Sequence, residues 1–593
     1  MKTSSTFKNI RTQGIKALGC IIVLAAMASI AAQWSSDPAV NTIIAGTGND
    51  RASPKVAYDR VDSCWYISNF ASVPEPNNFE VWLQRLDAGG NRLWGNDGLA
   101  VSRHPFSSWY SDYSLVCDSA GCAVLAFADL RAGTGYSNIC LYKMSRSGAY
   151  AWDSAGLVVT AGSANNLAPI LAVTPGNKLL CAWNIAYDNN KSAIGIQRFT
   201  ADGQACWQAP TLVTGADTLS LKPHLLTLPD EQFILVWNQG SMQNSSIYAQ
   251  RFDSLGKPVW PNPVAICNLG IIRAGTKIQV ATAANGFYTS WNDDRINSIN
   301  TYVMYTGYDG TSTWPANGVL ASIDTNNCQI VGALTLLPAS HEPVVLWMNT
   351  DPKQNYEGMS CQKFSASGQR QWGDSGIVYV PMTTVIDTSL SDVQALPGPD
   401  NTVGIVYQKR YTTKDLIDST VVAQGDLMAF RLTSAGAYSW PQHMVPVSTS
   451  KYEKSALAVA ATPSLDRYLA VWQDNRDAGP SATAGKIFGQ NILISSKNPT
   501  SIKSNCLNKA RFERIHIRTD ANNMVAFSYD HVFEKSKPVY LSIYTASGKE
   551  IKRFISTVPG KFIWDAKSRP SGIYLVRLKS GGKVISQQFW LQH

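Results

Sequence analysis

The chain has 593 residues, of which 45% are hydrophobic and only 16% are charged, and its formal net charge is +9. This length exceeds what one ordinary core can organise, so it predicts two or more domains or a long repeat array. The composition is typical of folded proteins and excludes an intrinsically disordered chain.

The positive charge is concentrated near the C-terminal end. From residue 500 onward, 16 Lys and Arg stand against 6 Asp and Glu, a net charge of +10, which leaves −1 for all preceding residues. A charge confined to one terminal segment does not by itself indicate a nucleic-acid partner, and we predict none.

Residues 1–32 have the pattern of an export signal. Four basic residues precede an apolar run, residues 18–32, that ends in small side chains. The run is shorter than the roughly 20 apolar residues that span a bilayer, and no later segment is longer. We therefore predict a signal peptide cleaved near Ala32 and no transmembrane segment in the mature chain.

A motif of glycine, three further residues and tryptophan recurs at intervals of 53 to 68 residues. A period of this length is typical of repeat proteins. We interpret the glycine as a turn residue and the tryptophan as a packing anchor. The glycines are Gly90, Gly148, Gly203, Gly256, Gly310, Gly368 and Gly436, and the tryptophans are Trp94, Trp152, Trp207, Trp260, Trp314, Trp372 and Trp440.

Each repeat contains four short apolar runs separated by turn residues, which is the pattern of a β-propeller blade. The second run of each repeat carries one aromatic residue that we expect to pack one sheet against the next. These residues are Phe127, Trp183, Trp237, Trp291, Trp347, Tyr407 and Trp472.

The two ends of the array complement each other. After the last full repeat three strands follow, up to about Lys497, and the expected fourth strand is missing. Residues 33–46 supply such a strand, with Trp34 at the motif position. Pairing these ends closes the ring and removes its open edges. We predict an all-β chain: an eight-bladed β-propeller over residues 33–497, closed by the strand within 33–46, with seven blades as the alternative.

Ten cysteines remain after removal of the signal. Export permits disulfides, and the apparent hairpin around the turn DSAG favours a bond between Cys117 and Cys122. We expect most of the other eight to be small buried hydrophobic residues.

Residues 498–508 form a polar linker, and the alternating strands of residues 509–593 predict a small C-terminal β-sandwich. Two stretches, PVYLSIYTASGKEIKRF at 538–554 and RPSGIYLVRLKSGGKVISQQFWL at 569–591, resemble the C-terminal sorting domains of the type IX secretion system. The resemblance implies the secretion machinery as a partner and a secreted or outer-membrane-surface location in a Gram-negative bacterium. A generic immunoglobulin-like accessory module is the alternative.

The sequence contains no known catalytic motif. Its seven histidines are scattered, and it lacks a His-Glu-x-x-His motif, a Cys-x-x-Cys pair, a nucleophile elbow and a phosphate loop. We therefore predict no metal and no cofactor, and the sequence leaves open whether the chain is an enzyme.

An aromatic-x-Asp-x-Arg pattern follows the second strand in three repeats. In a propeller this position lies near the mouth of the central channel, where the charges are candidates to bind a polar ligand. The alternative, which we favour, is a salt bridge that holds the turn of each blade. The residues are Asp129 and Arg131, Asp293 and Arg295, and Asp474 and Arg476.

Loop insertions are a further indication of function, because extra loop length does not serve blade packing. The longest is residues 409–426, and the loop at 103–113 is rich in aromatic residues. Trp109 and Tyr110 in that loop are candidates to stack on a sugar or a peptide, and the alternative is that they cover the channel mouth.

Two hypotheses of function follow. The first is a secreted or cell-surface propeller that binds a polysaccharide or a protein without chemistry of its own. The alternative is a polysaccharide hydrolase or lyase whose acidic residues lie on the loop face of the propeller. A paired acid and base of the hydrolase type needs two carboxylates about 5 to 10 Å apart.

Overall fold

The computed structural model describes two compact units, Met1–Ser501 and Ile502–His593. The described residues are 34–494, except 36, 47–49, 74–77, 105–111, 188–190, 215–217, 273–275, 297, 384–387, 415–420, 451 and 477–484, and 515–591, except 520–523, 530–537, 546–548, 557–560 and 581–582. The signal peptide and the linker predicted from the sequence lie outside these residues. Within them, no helix has the length and hydropathy needed to cross a membrane.

The first unit is a β-propeller built from four-stranded antiparallel sheets. In chain order, the strands of its N-terminal half are β1 (Thr42–Ala45), β2 (Arg51–Asp59), β3 (Cys64–Ser72), β4 (Phe79–Leu86), β5 (Leu99–Ser102), β6 (Ser114–Cys117), β7 (Ala123–Asp129), β8 (Asn138–Met144), β9 (Leu157–Val158), β10 (Asn165–Val173), β11 (Leu179–Ala186), β12 (Ser192–Phe199), β13 (Thr211–Leu212), β14 (Leu219–Thr227), β15 (Phe233–Gly240) and β16 (Ser245–Phe252). The remaining strands of this unit are β17 (Val264–Ile272), β18 (Gln279–Thr282), β19 (Gly286–Ile296), β20 (Ser298–Gly307), β21 (Val319–Leu320), β22 (Cys328–Leu336), β23 (Pro343–Thr350), β24 (Glu357–Lys363), β25 (Ile377–Val380), β26 (Thr388–Gly398), β27 (Thr402–Lys414), β28 (Val421–Leu432), β29 (Met444–Ser448), β30 (Lys454–Ala461), β31 (Arg467–Asp474) and β32 (Lys486–Leu493).

Seven consecutive groups of four strands, from β2–β5 to β26–β29, are called blades 1 to 7 below. Blades 3 and 4 are joined by a single parallel bridge between Ser192 and Leu219. Strands β30, β31 and β32 form blade 8 together with β1. Thr42 pairs with Gly489 and Ile43 with Phe488, so the N-terminal strand completes the last blade, as the sequence predicts.

The glycine and tryptophan motif joins neighbouring blades. The glycines have φ angles between +77° and +87°, which residues with a Cβ rarely adopt. Each glycine lies against the tryptophan of the preceding blade, and six of these indoles donate Nε1–H to the carbonyl two positions before that glycine, at 2.8 to 3.3 Å. The sequence identified both residues, but not that their partners come from different copies of the motif. The donors and acceptors are Trp34 and Ala88, Trp152 and Ala201, Trp207 and Ser254, Trp260 and Tyr308, Trp314 and Ala366, and Trp372 and Ser434.

The aromatic residues of the second strands form the packing layer between blades. All seven are buried, with at most 3% of the side chain exposed. Trp291, for example, packs with Trp314, Trp347 and the residues of β22 in one apolar cluster. Their burial contributes hydrophobic stabilisation at each blade interface, which confirms the packing role predicted for them.

The disulfide predicted between Cys117 and Cys122 is absent, and both side chains are free thiols. In the hairpin Cys117 pairs with Ala123, and the amide of Asp118 donates to the carbonyl of Cys122 at 2.9 Å. Cys122 is thus one residue before the partner of Cys117. Because adjacent strand residues face opposite sides of a sheet, the two thiols do not lie opposite each other. The prediction was wrong because it assumed a shorter turn.

The described residues of the C-terminal unit form seven strands in two sheets. One sheet has three strands in the order β33–β34–β37, and the other has four in the order β36–β35–β38–β39. Apolar residues of both sheets, including Phe527, Leu541 and Val576, form one core between them. The strands are β33 (Ile515–Thr519), β34 (Met524–Tyr529), β35 (Val539–Thr545), β36 (Glu550–Ser556), β37 (Lys561–Asp565), β38 (Gly572–Ser580) and β39 (Lys583–Leu591).

Candidate functional site

One face of the propeller carries the loops of interest. In each blade the first and second strands are antiparallel, so the start of the first strand and the end of the second strand lie at the same edge. We call the face formed by these edges the upper face. It carries the connections between blades and the loops between second and third strands.

The Asp129 and Arg131 pair lies at the upper face of blade 2. Asp129 is fully buried, and Arg131 Nη2 lies 2.6 Å from its Oδ2 atom, while Arg131 Nε donates to the same oxygen at 2.9 Å. The guanidinium also donates to the Tyr142 hydroxyl at 2.8 Å and to the carbonyl of Ala155, which precedes the fourth strand. The arginine therefore ties the loop to the turn before the outermost strand.

The pairs in blades 5 and 8 repeat this arrangement. Arg295 binds both carboxylate oxygens of Asp293 and donates to the carbonyl of Asn317 at 3.0 Å. Arg476 binds Asp474 at 2.6 Å and donates to the carbonyl of Val40 at 2.6 Å. Asn317 and Val40 also precede the fourth strands of their blades.

Electrostatics agree with a structural role for these pairs. Burial alone would raise the pKa of Asp474, but hydrogen bonds from Arg476 and the charge of Lys454 hold that pKa below its usual range. Each aspartate is neutralised by its own arginine, and blades 2, 5 and 8 are not neighbours. The geometry therefore supports the salt-bridge interpretation of the motif, and it does not bring the three carboxylates together. Trp109 and Tyr110 lie outside the described residues.

The structure reveals a different feature, a β-bulge in the first strand of most blades. The pairing register shifts at this point in blades 1, 3, 4, 6, 7 and 8. Five bulge residues have φ angles of +49° to +56°, a conformation that costs energy for residues with a Cβ and that often occurs at functional sites. These residues are Ser53, Ala168, Lys222, Asp392 and Ala456.

Two of these bulge residues, Ser53 and Ala456, line a cavity of about 630 Å³ on the inner side of the ring. Its lining comes mostly from the first strands of blades 1, 2, 3, 7 and 8, so it faces the central channel. Phe70 of β3 and the connection residues Asp112 and Tyr113 complete the lining. Its polar groups are Ser53, Lys55, Asp112, Ser114 and Gln394, and the remaining lining residues are mostly apolar. Lys55 Nζ lies 2.7 Å from Asp112 Oδ1, and the Lys55 side chain is 35% exposed while that of Asp112 is 70% exposed.

Tyr113 forms a rigid part of the cavity wall. Its side chain is buried, and its hydroxyl donates to the bulge carbonyl of Ser53 at 2.8 Å and lies 3.0 Å from Ser68 Oγ. Burial raises the pKa of this phenol, so it stays protonated as a donor. Blade 2 thus holds the bulge of blade 1 in place.

Two further groups, one on a first strand and one just before a first strand, carry shifted pKa values. His224 has the register position in blade 4 that Lys55 has in blade 1, and burial, together with the charge of Lys222, lowers the His224 pKa to about 4. The ammonium group of Lys277, in blade 5, donates a hydrogen bond to the bulge carbonyl of Gly332. Burial lowers the pKa of Lys277, although the carboxylate of Asp392 opposes that shift. Because its pKa is about 4, the His224 imidazole is neutral at pH 7.

The described residues contain no group of three or more His, Cys, Asp and Glu side chains arranged to hold a metal ion. The channel cavity was not predicted from the sequence. A signal was present, because a proline follows the bulge residue at Pro54, Pro169 and Pro223, and proline inside a strand indicates a bulge or an edge.

No protein-family profile and no curated protein matches the chain. Among solved structures it is similar to an ulvan lyase, at 9% identity over 76% of this chain and 95% of that chain with a TM-score of 0.38. It is also similar to the Dos1 propeller, at 10% identity over 75% and 93% with a TM-score of 0.40, and to an α-L-arabinanase of Penicillium chrysogenum, at 11% identity over 77% and 97% with a TM-score of 0.32. These similarities concern the fold and assign no activity to this chain.

Proposed function

We propose that this chain is an exported propeller that binds a polysaccharide at the mouth of its central channel and does not cleave it. The observation that carries the proposal is the cavity of about 630 Å³ with its few polar groups in a largely apolar wall. This volume lies in the range of small-molecule sites, about 300 to 1,000 Å³. It suits a few sugar units, whereas a protein ligand requires a broad contact of about 800 Å² on each partner.

Two tyrosines on the upper face extend this site. Tyr136 and Tyr187 lie in the loops between second and third strands of blades 2 and 3, and their side chains are 38% and 36% exposed. Both blades also line the cavity. An exposed phenol offers an apolar face and a polar tip, which suits stacking on a sugar ring that leaves the cavity.

The cavity lacks the groups of a glycoside hydrolase. Among the described lining residues Asp112 is the single carboxylate, and Lys55 holds it as an ion pair at 2.7 Å. Hydrolysis of this type needs a second carboxyl group about 5 to 10 Å away. Binding without cleavage therefore fits the lining better than the hydrolase alternative.

Export belongs to the same proposal. The signal pattern of residues 1–32 and the sorting-domain resemblance of residues 538–591 support secretion through a type IX system, ending in the medium or on the outer-membrane surface of a Gram-negative bacterium. The described strands of the C-terminal unit form the two-sheet sandwich predicted from their alternating sequence pattern, and this fold is compatible with the proposal. Fusion of residues 498–593 to a periplasmic reporter tests this part, because a reporter that stays in the periplasm of a bacterium with that system contradicts it.

The binding proposal is tested with the chain from residue 33 onward and a panel of neutral and acidic polysaccharides. Depletion of the protein by an insoluble polysaccharide, without new sugar ends, is the expected result. The K55Q variant should bind at least tenfold more weakly, and K257Q, in an exposed turn far from the cavity lining, should bind as the unmodified chain does. Release of new sugar ends would establish the hydrolase or lyase alternative, and equal binding by K55Q would remove the cavity from the proposal.

A further inference from the structure

The four-stranded sheet of the C-terminal unit has one face turned away from its core. Val539, Leu541 and Ile543 of β35 point into the core and are at most 4% exposed. Because side chains alternate along a strand, Tyr540 and Tyr544 lie on the opposite face. This outward surface belongs to the two central strands, β35 and β38, and to their neighbours.

The pairing register shows which residues share this surface. Tyr540 lies directly opposite Ile555 of β36 and opposite Lys579 of β38, and Arg577 follows two positions before Lys579. Tyr540 is 39% exposed and Ile555 is 63% exposed. We call these four residues, Tyr540, Ile555, Arg577 and Lys579, the outer patch. It combines an exposed apolar pair with two exposed cations.

Protection of a sheet edge explains some of the nearby charge but not the patch. Charged residues on an edge strand prevent pairing with another chain, and Lys552 and Arg553 lie on the edge strand β36. Arg553 is moreover paired with Glu550 at 2.7 Å. Strand β38 is central and needs no such protection, so Arg577 and Lys579 require another explanation.

We propose that the outer patch binds the surface of an anionic lipid bilayer. Arg577 and Lys579 would contact the headgroup phosphates, while Tyr540 and Ile555 enter the interfacial layer, where aromatic and aliphatic side chains are stable. The net charge of +10 over residues 500–593 attracts the unit to such a surface within a Debye length. A soluble polyanion matches the cations equally well but provides no layer for the apolar pair.

The test measures sedimentation of the chain, from residue 33 onward, with vesicles of phosphatidylcholine mixed with phosphatidylglycerol. Each cation contributes about fivefold to affinity for such a surface, so the R577Q/K579Q variant should bind about 25-fold more weakly. The matched control K549Q/K567Q removes the same charge from two exposed turns outside the patch and should lose less than fivefold. Equal losses in both variants would overturn the patch as the binding site.

A second variant, Y540S/I555S, tests the apolar part. It should bind several-fold more weakly at unchanged net charge. Its melting temperature should stay near that of the unmodified chain, because neither side chain belongs to the buried core of the unit. Higher salt should weaken binding of the unmodified chain to the mixed vesicles. Equal binding to pure phosphatidylcholine vesicles, or binding to alginate that exceeds binding to the mixed vesicles, would overturn the proposal.

Discussion

Gly368 of blade 6 lies directly against the indole of Trp314, which belongs to blade 5. A Cβ atom at Gly368 would stand 3.0 Å from Trp314 Cδ2, and the φ angle of this glycine is +84°. The same indole donates Nε1–H to the carbonyl of Ala366 at 2.8 Å. Backbone conformation and close packing thus both require glycine at this position, and the contact joins two blades.

Substitution of Gly368 by valine should lower the free energy of unfolding by about 2 to 4 kcal/mol, because it adds backbone strain and overpacks the indole. Gly373 provides the matched control. Its φ angle is +77°, but nothing lies within 4 Å of a Cβ atom at this position, so G373V should cost less than G368V, because it adds backbone strain without overpacking. Urea unfolding measures both values. An equal cost for the two variants would mean that the indole contact contributes nothing.

Removal of residues 33–46 should destabilise the closed ring. The deletion leaves β32 without its partner β1 and exposes an unpaired sheet edge, which favours aggregation. We expect a lower melting temperature and oligomers in sedimentation velocity. A synthetic peptide of residues 33–46 should restore the monomer when added in excess, whereas a peptide with Trp34 replaced by serine should restore it poorly. Full stability of the deletion variant would contradict the closure.

Substitution of Arg131 by glutamine should cost about 3 to 5 kcal/mol, because it leaves the buried carboxylate of Asp129 without its counter-charge. The double variant D129N/R131Q should recover a substantial part of this loss, since no buried charge remains. Chemical denaturation of the unmodified chain, R131Q, D129N and D129N/R131Q measures the cycle. Polysaccharide binding should be the same in every folded variant, and a selective loss of binding would return this pair to the candidate site.

His224 should make the propeller less stable as the pH falls. Its folded-state pKa is lowered to about 4, below that of an unfolded histidine, so the unfolded chain binds the proton more readily. The stability that the neutral imidazole contributes is complete above pH 6.5 and is lost as the pH falls towards 4, by up to about 3 kcal/mol. Unfolding at pH 7 and pH 4.5 should show a steeper loss for the unmodified chain than for H224N. The control H341N, in an exposed turn, should keep the steep loss.

Cys117 and Cys122 should both be free thiols in the purified protein. Reduction should not change the mass of the peptides that contain them. Burial raises the Cys117 pKa to about 12, and this slows alkylation of Cys117 in the folded state. Cys206 is exposed and should react first with iodoacetamide. Peptide mapping before and after denaturation distinguishes the three sites. A peptide pair linked through Cys117 and Cys122 would contradict the register of the hairpin.

Much of the fold could be predicted because the repeated motif marks positions where local structure requires a particular residue type. Gly368 and its equivalents indicate turns, the buried aromatic residues such as Trp291 indicate packing between sheets, and Trp34 indicates that the first strand completes the last blade. Each of these features depends on residue type at a fixed spacing. The sequence could not show that a tryptophan packs against the next glycine in the ring, because that contact joins residues about 54 positions apart.

The candidate site depended much more on the tertiary structure. The sequence indicated Asp129, Arg131 and their equivalents as candidate ligand-binding residues. Whether such a charged pair faces a ligand or its own blade depends on side-chain direction and burial, and residue spacing does not determine either. The cavity arises where separate first strands meet on the inner side of the ring, so Lys55 and Asp112 become neighbours although 57 residues separate them.

The sequence alone determined the repeat, the class of fold and the strand that closes it, because these follow from periodic local chemistry along one chain. Only the tertiary structure decided which polar groups meet in the channel, which thiols stay apart and which charges are already paired. Those outcomes depend on register and on contacts between blades, where a shift of one residue turns a side chain to the opposite face.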